Sequence, residues 1–185
     1  KPKSIIGTSS FRREYQLKNI RSDLSYKLIR GNVDTRIKKL EDGNYDAIIL
    51  SKAGIESLNL NNKITEEFTT DELIPCAGQG IIAIQCRDDD VEIKELLEGI
   101  NDDQSRVIAN AEREVLKILE GDCDTAVGAF SKIEGDNINL SVELFSVDGK
   151  KRYFKEDVRN KSLAKELGKD IGEVLKLKSE GSYKR

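Results

Sequence analysis

The residues best suited to chemistry lie close to the start of the chain, within Ile-Ile-Gly-Thr-Ser-Ser-Phe-Arg-Arg at residues 5–13. A short apolar run ends at Gly7, and hydroxyl side chains and then two arginines follow. If a helix begins here, its first N–H groups favour an anion, and guanidinium groups add forked donors for carboxylate or phosphate. A serine helix cap followed by two solvated arginines explains the same residues more simply. The candidate anion-binding side chains are Thr8, Ser9, Ser10, Arg12 and Arg13.

A second stretch, Leu-Ile-Arg-Gly-Asn-Val-Asp-Thr-Arg at residues 28–36, has the same character. Arg30 ends a predicted strand, and Asn32 is the predicted N-cap of the next helix, with Gly31 between them. Arg36 lies about one helical turn beyond that cap. If the two strand-to-helix turns are neighbours, the arginines of both lie at the same ligand-binding edge of the sheet. This arrangement favours a ligand with several carboxylates, or a phosphate.

Other chemistry is restricted because the chain contains no histidine. That absence removes the commonest general base, the commonest metal ligand and every Ser-His or Cys-His nucleophile pair. Cys123 follows a predicted helix end and lies between two aspartates, which disfavour a thiolate, so a freely nucleophilic cysteine is not expected. Cys76 and Cys86, beside Pro75 and within an apolar run, are predicted to be small buried residues.

The first half of the chain alternates short apolar runs with helical patterns, which predicts a parallel sheet wrapped by helices. Predicted strands cover residues 4–7, 25–31 and 45–50. Predicted helices cover residues 9–20, 32–43 and 51–60. Ligands of such folds bind at the carboxyl ends of strands, which here are the turns at 7–10, 30–32 and 50–53.

The pattern changes after Pro75. A Gly-Gln-Gly bend at residues 78–80 leads into a predicted buried strand at 81–86. Two helical patterns follow. In the second of them, one face is formed by Val107, Ala111, Val115 and Leu119.

The last third of the chain has an antiparallel character. Glu-Gly-Asp-Asn at 134–137 and Val-Asp-Gly-Lys at 147–150 are hairpin turns, and they separate three predicted strands. An amphipathic helix at 162–177 follows, and the tail at 178–185 is expected to fray.

Composition limits the partners that the chain can have. The formal net charge is −3, from 31 basic and 34 acidic residues, so no overall attraction to nucleic acid or to an anionic membrane is expected. The sequence contains no run of about 18 apolar residues, so no membrane-spanning helix is predicted. Three cysteines without paired spacing argue against a disulfide framework or a zinc site and fit a reducing cytoplasm.

Taken together, these stretches resemble one family, porphobilinogen deaminase, also called hydroxymethylbilane synthase. The matching segments are GTSSFRR, LIRGNVDTRIKKLEDGNYDAIILSKAGI, LIPCAGQGIIAIQCRDDD, ANAEREVLKILEGDC and VGAF, in the family's order. They cover most of residues 4–130, and their joint occurrence is highly specific. The resemblance implies a periplasmic-binding-protein-like (type II) α/β domain with a parallel-rich sheet, followed by a small α+β domain with a three-stranded antiparallel sheet.

The resemblance also implies a transferase of porphyrin and heme biosynthesis. The reaction is the stepwise condensation of four porphobilinogen molecules into linear hydroxymethylbilane, with release of ammonia, on a dipyrromethane cofactor. It implies that Cys123 anchors this cofactor through a thioether. The other implied cofactor-binding residues are Arg12, Arg13, Ser10, Thr8 and Ser9. The implied substrate-binding residues are Arg30, Arg36, Gly31 and Asn32, and no metal ligand is implied.

The resemblance divides the chain into three parts. Residues 1–76 correspond to the family's second, carboxylate-binding domain, 77–101 cross back to its first domain, and 102–185 form the C-terminal domain with the cofactor cysteine. Most of the first domain, including the catalytic aspartate, has no counterpart here. We therefore expect the missing N-terminal segment of the same enzyme as a partner, poor or absent turnover without it, and a monomer when complete. The open alternative is a non-catalytic small-anion-binding domain of the periplasmic type.

Overall fold

The computed structural model of the chain describes residues 1–122 and 124–184. Its N-terminal half contains a three-stranded parallel sheet with the strand order β2-β1-β3. The strands are β1 (Ile5–Gly7), β2 (Ser25–Lys27) and β3 (Ala47–Ile48), and the helices between and after them are α1 (Phe11–Ile20), α2 (Val33–Glu41) and α3 (Lys52–Glu56). The predicted alternation of strand and helix is confirmed. Three elements are shorter than predicted: the strands expected at 25–31 and 45–50 and the helix expected at 51–60.

Local sequence signals set the ends of the first two helices. The Ser10 side chain accepts a hydrogen bond from the Arg13 N–H at 3.4 Å, and the Asn32 side chain accepts one from the Thr35 N–H at 2.9 Å. These bonds satisfy backbone donors that a helix start leaves unpaired. Gly43 follows the end of α2 with a φ of +78°, the left-handed conformation that glycine adopts without strain. The predicted cap at Asn32 is thus confirmed, and the serine cap proposed for the first helix is Ser10.

The C-terminal half is an antiparallel sheet packed against two helices. Strands β4 (Val127–Glu134), β5 (Asn137–Phe145) and β6 (Arg152–Asn160) pair in the order β4-β5-β6. The helices of this region are α4 (Val91–Glu98), α5 (Asp103–Leu119) and α6 (Ala164–Ser179). Helices α5 and α6 cover one face of the sheet, and their core includes Val115, Leu119, Leu140, Val142, Leu144, Leu167, Ile171 and Leu175.

The buried strand predicted at residues 81–86 is wrong. This stretch has no strand conformation, and Ile82 and Ile84 are 89% and 60% exposed. A strand forms only where a neighbour pairs with its N–H and C=O groups, and no described strand lies beside this stretch. Helix α4, which follows, also exposes apolar side chains, among them Val91 and Leu96. Within residues 1–122 and 124–184, no helix has the length and apolar character needed to cross a lipid bilayer.

The expectation that the tail frays is also wrong. Tyr183 is 4% exposed and belongs to the core that α5 and α6 form with the sheet. Its hydroxyl donates to the Leu119 carbonyl at 3.0 Å, and the Val147 N–H donates to the Ser182 carbonyl at 2.9 Å. The tail therefore packs because an aromatic side chain finds both a buried site and a hydrogen-bond acceptor.

Candidate functional site

The candidate site lies at the carboxyl end of β1, the central strand of the parallel sheet. The chain passes from β1 to β2 on one side and then to β3 on the other, so this end of β1 is a topological switch point. Thr8 is buried there, and its backbone N–H donates to the Lys27 carbonyl at 3.2 Å. The Thr8 hydroxyl accepts a hydrogen bond from the Ser10 N–H at 3.2 Å, which fixes the turn into α1, whereas Ser9 is exposed.

Arg12 projects from the first turn of α1 into the protein and is 7% exposed. Its Nη1 donates to the Ile74 carbonyl at 2.6 Å and its Nη2 to the Gln79 side-chain oxygen at 3.3 Å. Its pKa is lowered to about 10, chiefly by burial and in part by the charge of Arg13. Arg12 therefore stabilises the segment after Ile74 as well as contributing charge to the candidate site.

Arg13 and Arg36 are held at the turns that follow the parallel strands. Arg13 Nη1 donates to the carbonyl of Ile49, which follows β3, at 3.2 Å. Burial lowers the pKa of Arg13, and the positive charge of Arg36 lowers it further. Arg36 is itself held on the turn after β2, because its Nε donates to the Gly31 carbonyl at 2.7 Å. Two positive charges within electrostatic range of each other favour an anion between them.

The remaining predicted residues surround this cluster. Gly31 has a φ of +121°, and Asn32 uses its side chain as the cap of α2. Arg30 is exposed, and its carbonyl accepts a hydrogen bond from Lys39 Nζ at 2.9 Å. The structure thus groups Arg12, Arg13 and Arg36, while Ser9 and Arg30 lie on the surface beside them.

The predicted cofactor anchor, Cys123, lies outside the described residues. On either side of it, the Asp122 carboxylate accepts hydrogen bonds from the N–H of Asp124 at 2.9 Å and from the N–H and hydroxyl of Thr125, both at 3.0 Å. Ala126, which follows Thr125, is buried against Tyr15 of α1 and Phe145 of β5. The sequence that follows Cys123 is therefore in contact with the helix that carries Arg12 and Arg13.

The prediction that Cys76 is buried is wrong. The residue is an exposed free thiol in the turn after Pro75, where it lies within electrostatic range of Arg12 and Arg13. Its Sγ donates to the Gln79 side-chain oxygen at 3.4 Å. The local apolar context indicates burial, but the residue lies in a turn rather than in a strand. Cys86 is half-buried.

Glu112 is a residue of this region that the sequence does not single out. It is 3% exposed, and its two carboxylate oxygens accept hydrogen bonds from the N–H of Gly78 and of Ser131, each at 2.7 Å. Burial raises the pKa of Glu112, and the two backbone bonds offset only part of that effect. The one sequence feature that could indicate burial of Glu112 is its position beside the apolar face of α5, next to Ala111. Glu112 ties the segment after Ile74 to strand β4.

The described residues contain no group of three or more His, Cys, Asp or Glu side chains suited to a metal ion. Comparison with known families identifies the family of the chain. The family model described as "Porphobilinogen deaminase, dipyromethane cofactor binding domain" matches residues 1–95. The chain belongs to the porphobilinogen deaminase family. A second model of porphobilinogen deaminase, that of its C-terminal domain, matches residues 107–177. The arginine cluster thus lies in the region matched by the cofactor-binding domain of porphobilinogen deaminase.

Curated relatives carry the same name. The chain is 45% identical to the probable porphobilinogen deaminase of Nitrosopumilus maritimus over 178 residues. These aligned residues are 96% of this chain and 57% of the relative. It is 44% identical over 148 residues to the porphobilinogen deaminase of an Exiguobacterium species, 80% of this chain and 48% of the relative. It is 40% identical over 174 residues to that of Coxiella burnetii, 94% of this chain and 57% of the relative. The chain therefore spans about half the length of these porphobilinogen deaminases.

Proposed function

We propose that this chain is part of an enzyme that joins four porphobilinogen molecules into linear hydroxymethylbilane with release of ammonia. The observation that carries the proposal is the cluster of Arg12, Arg13 and Arg36 at the switch point of the parallel sheet. The charge of Arg36 contributes to the lowered pKa of Arg13, and that of Arg13 to the lowered pKa of Arg12, so an anion bound among them relieves this repulsion. Pyrrole rings that carry acetate and propionate side chains supply such anions repeatedly, one ring after another.

The residues present fit the dipyrromethane cofactor that the family description names. Forked guanidinium donors are the groups best suited to carboxylates, and two helix starts, at Ser10 and Asn32, add partial positive charge at the same edge of the sheet. When bound, the cofactor supplies the free pyrrole carbon to which the first porphobilinogen is joined. We assign its covalent attachment to Cys123 and its carboxylates to Arg12 and Arg13, with contacts from Thr8, Ser9 and Ser10.

The chain's own contribution to the reaction is orientation. Arg36 on the turn after β2, with Gly31, Asn32 and the exposed Arg30, is assigned to incoming substrate carboxylates. Two bidentate guanidinium contacts to one pyrrole ring fix both the position and the tilt of the ring. Such orientation raises the rate of a condensation more than tight binding alone does. Because the donors are held by the Ile49 and Gly31 carbonyls, they need little rearrangement when a ring arrives.

The larger organisation is proposed on the same basis. The N-terminal half is assigned the type II periplasmic-binding fold, and the boundaries 1–76, 77–101 and 102–185 are retained. The exposed apolar residues at 81–86 support a role in completing a further domain, and the greater length of the relatives supports a preceding segment that brings the catalytic carboxylate. We assign the complete enzyme to the cytoplasm, as a monomer without nucleic acid or membrane partners.

Arg13 is the sharpest probe of this proposal, because Arg12 also stabilises the fold. In the complete enzyme, Arg13→Leu is expected to lower the rate of hydroxymethylbilane formation by roughly a hundredfold or more, as the loss of an orienting charge contact does. Arg13→Lys should restore only part of that rate, since a single ammonium cannot bind a carboxylate bidentately. Arg113→Leu, an exposed position on α5, is the matched control.

The assay is the initial rate of product formation, together with equilibrium binding of porphobilinogen. An unchanged rate in Arg13→Leu would contradict the assignment. A wild-type protein that binds carboxylates at this site but forms no product would favour the non-catalytic anion-binding alternative.

A further inference from the structure

Tyr15 joins helix α1 to the C-terminal half of the molecule. Its ring is 7% exposed and packs with Ala126 and Phe145, with the Tyr15 and Phe145 ring centroids 5.8 Å apart. The Tyr15 hydroxyl donates to the carbonyl of Val147, in the turn between β5 and β6, at 2.8 Å. A single side chain of the anion-binding helix therefore contacts both the start of β4 and the β5–β6 hairpin.

The hairpin turn is shaped to admit this ring. Gly149 has a φ of +70°, and a Cβ placed on it would lie 2.5 Å from Cδ1 of Tyr15. The turn is held in place by the Gly149 N–H, which donates to the Ser146 carbonyl at 2.8 Å, and by the Ser146 hydroxyl, which donates to Asp148 at 2.7 Å. Any side chain at position 149 would have to displace the Tyr15 ring.

The same contact connects two parts of the proposed site that are far apart in sequence. Tyr15 comes three residues after Arg12, and Ala126 comes three residues after Cys123. The Ala126 carbonyl accepts a hydrogen bond from the Phe145 N–H at 3.0 Å, so the segment after Cys123 is fixed to the sheet at the point where the Tyr15 ring packs. Movement of the ring would move the arginines relative to this segment.

We infer that Tyr15 is a positioning residue that holds the arginines of α1 in a fixed position relative to Ala126, at the start of the C-terminal sheet. The inference rests on the proposed function, because only there does one ligand, attached at Cys123, also need its carboxylates held by Arg12 and Arg13. A displacement of about 1 Å in such an arrangement can cost on the order of a hundredfold in rate.

The variants separate the ring, its hydroxyl and the turn. Tyr15→Phe removes only the hydroxyl, and Tyr15→Ala removes the whole contact. Gly149→Ala leaves Tyr15 in the sequence but forces its ring to move. Its matched control is Gly135→Ala, because Gly135 has a similar φ of +62° in the β4–β5 hairpin and no described atom lies within 4 Å of the point that its Cβ would occupy. Both glycine variants therefore carry the same backbone strain.

The measurement uses the complete enzyme: cofactor load on Cys123 by mass spectrometry, kcat and KM for porphobilinogen, and the melting temperature. Gly149→Ala is expected to lower kcat about tenfold more than Gly135→Ala at equal cofactor load. Tyr15→Ala should lose at least as much kcat as Gly149→Ala, and Tyr15→Phe less. If Tyr15→Ala does not fold, the two glycine variants decide.

Two negative outcomes are distinguishable. Loaded, active wild-type enzyme with equal kcat and KM in Gly149→Ala and Gly135→Ala would overturn the positioning role, even if both variants melt earlier. Wild-type enzyme without an adduct on Cys123 and without product would overturn the proposed function, and the inference with it.

Discussion

At the scale of single residues, Glu112 shows how a buried charge joins two parts of the chain. Its carboxylate accepts hydrogen bonds from Gly78, in the segment after Ile74, and from Ser131, on the edge strand β4. Burial raises the pKa of Glu112 above its ordinary value of 4.5. The folded chain therefore holds this proton more tightly than the unfolded chain does.

This difference predicts the sign of a pH effect on stability. The contribution of Glu112 protonation to folding is fully present below the unfolded pKa of about 4.5 and is lost as the pH rises through the higher folded pKa. The unfolding free energy of the wild type should therefore fall relative to that of Glu112→Gln as the pH rises above about 4.5 and through the higher folded pKa. Urea denaturation at a series of pH values measures this difference.

Glu98→Gln is the control for the loss of one negative charge, since the Glu98 side chain is 72% exposed. A difference between wild type and Glu112→Gln that does not change with pH would contradict the account of Glu112.

What the sequence reveals at this scale depends on how far a residue's partners lie along the chain. The caps at Ser10 and Asn32 bond three residues away and are predictable. The partner of Arg12 lies 62 residues away, and no local pattern indicates that its guanidinium is buried against the Ile74 carbonyl. The exposure of Cys76 cannot be predicted from the local sequence either, because it depends on the turn that the contact of Arg12 with the Ile74 carbonyl stabilises.

At the scale of elements, helices α5 and α6 approach each other through a glycine. A Cβ on Gly168 would lie 2.2 Å from the Ala111 carbonyl oxygen, a backbone atom that cannot rotate away. Gly168→Ala must therefore separate the two helices and is expected to lower the unfolding free energy by about 1–3 kcal/mol, as other overpacked cores do.

The matched variant is Gly99→Ala at the end of α4. There the nearest atom to an added Cβ is 3.4 Å away and φ is −65°, so alanine fits and the change should be neutral or slightly stabilising. Urea denaturation midpoints of the two variants measure the effect. Equal midpoints would show that α5 and α6 are not held at the described separation.

The elements that can be predicted are those whose stability is local. Helix α5 is recognisable from the spacing of Ala111, Val115 and Leu119, and the hairpins from their glycine-containing turns. The stretch at 81–86 has the composition of a buried strand but no described strand beside it, so its apolar side chains remain exposed. Composition indicates that a segment can form a strand, but a neighbouring strand decides whether the strand forms.

At the scale of the whole molecule, buried contacts around the segment after Ile74 join the two halves, in addition to the contact made by Tyr15. Arg12 and Gln16 both donate to the Ile74 carbonyl, and the Ala129 N–H of β4 donates to the Pro75 carbonyl at 2.9 Å. The following stretch, 81–100, leaves this junction and has mostly exposed side chains. Stability is therefore expected to be unequal along the chain.

Limited proteolysis measures this inequality. Arg87 has an 81% exposed side chain in a stretch without strand pairing among the described residues, which is the kind of segment that a protease accepts. With trypsin, the first cut in this chain is expected after Arg87. An initial cut within α5 or α6 would contradict the described distribution of stability.

The central claim is that a carboxylate-binding arginine cluster and a cofactor anchor at Cys123 serve one ligand. Peptide mass spectrometry tests it most directly, on the complete protein made in cells that synthesise porphobilinogen. Cys76 is the internal control, because it is an exposed free thiol beside the same arginines. We expect a dipyrrole adduct on the peptide that contains Cys123 and none on Cys76 or Cys86. Folded complete protein with an unmodified Cys123, or with the adduct on Cys76, would contradict it.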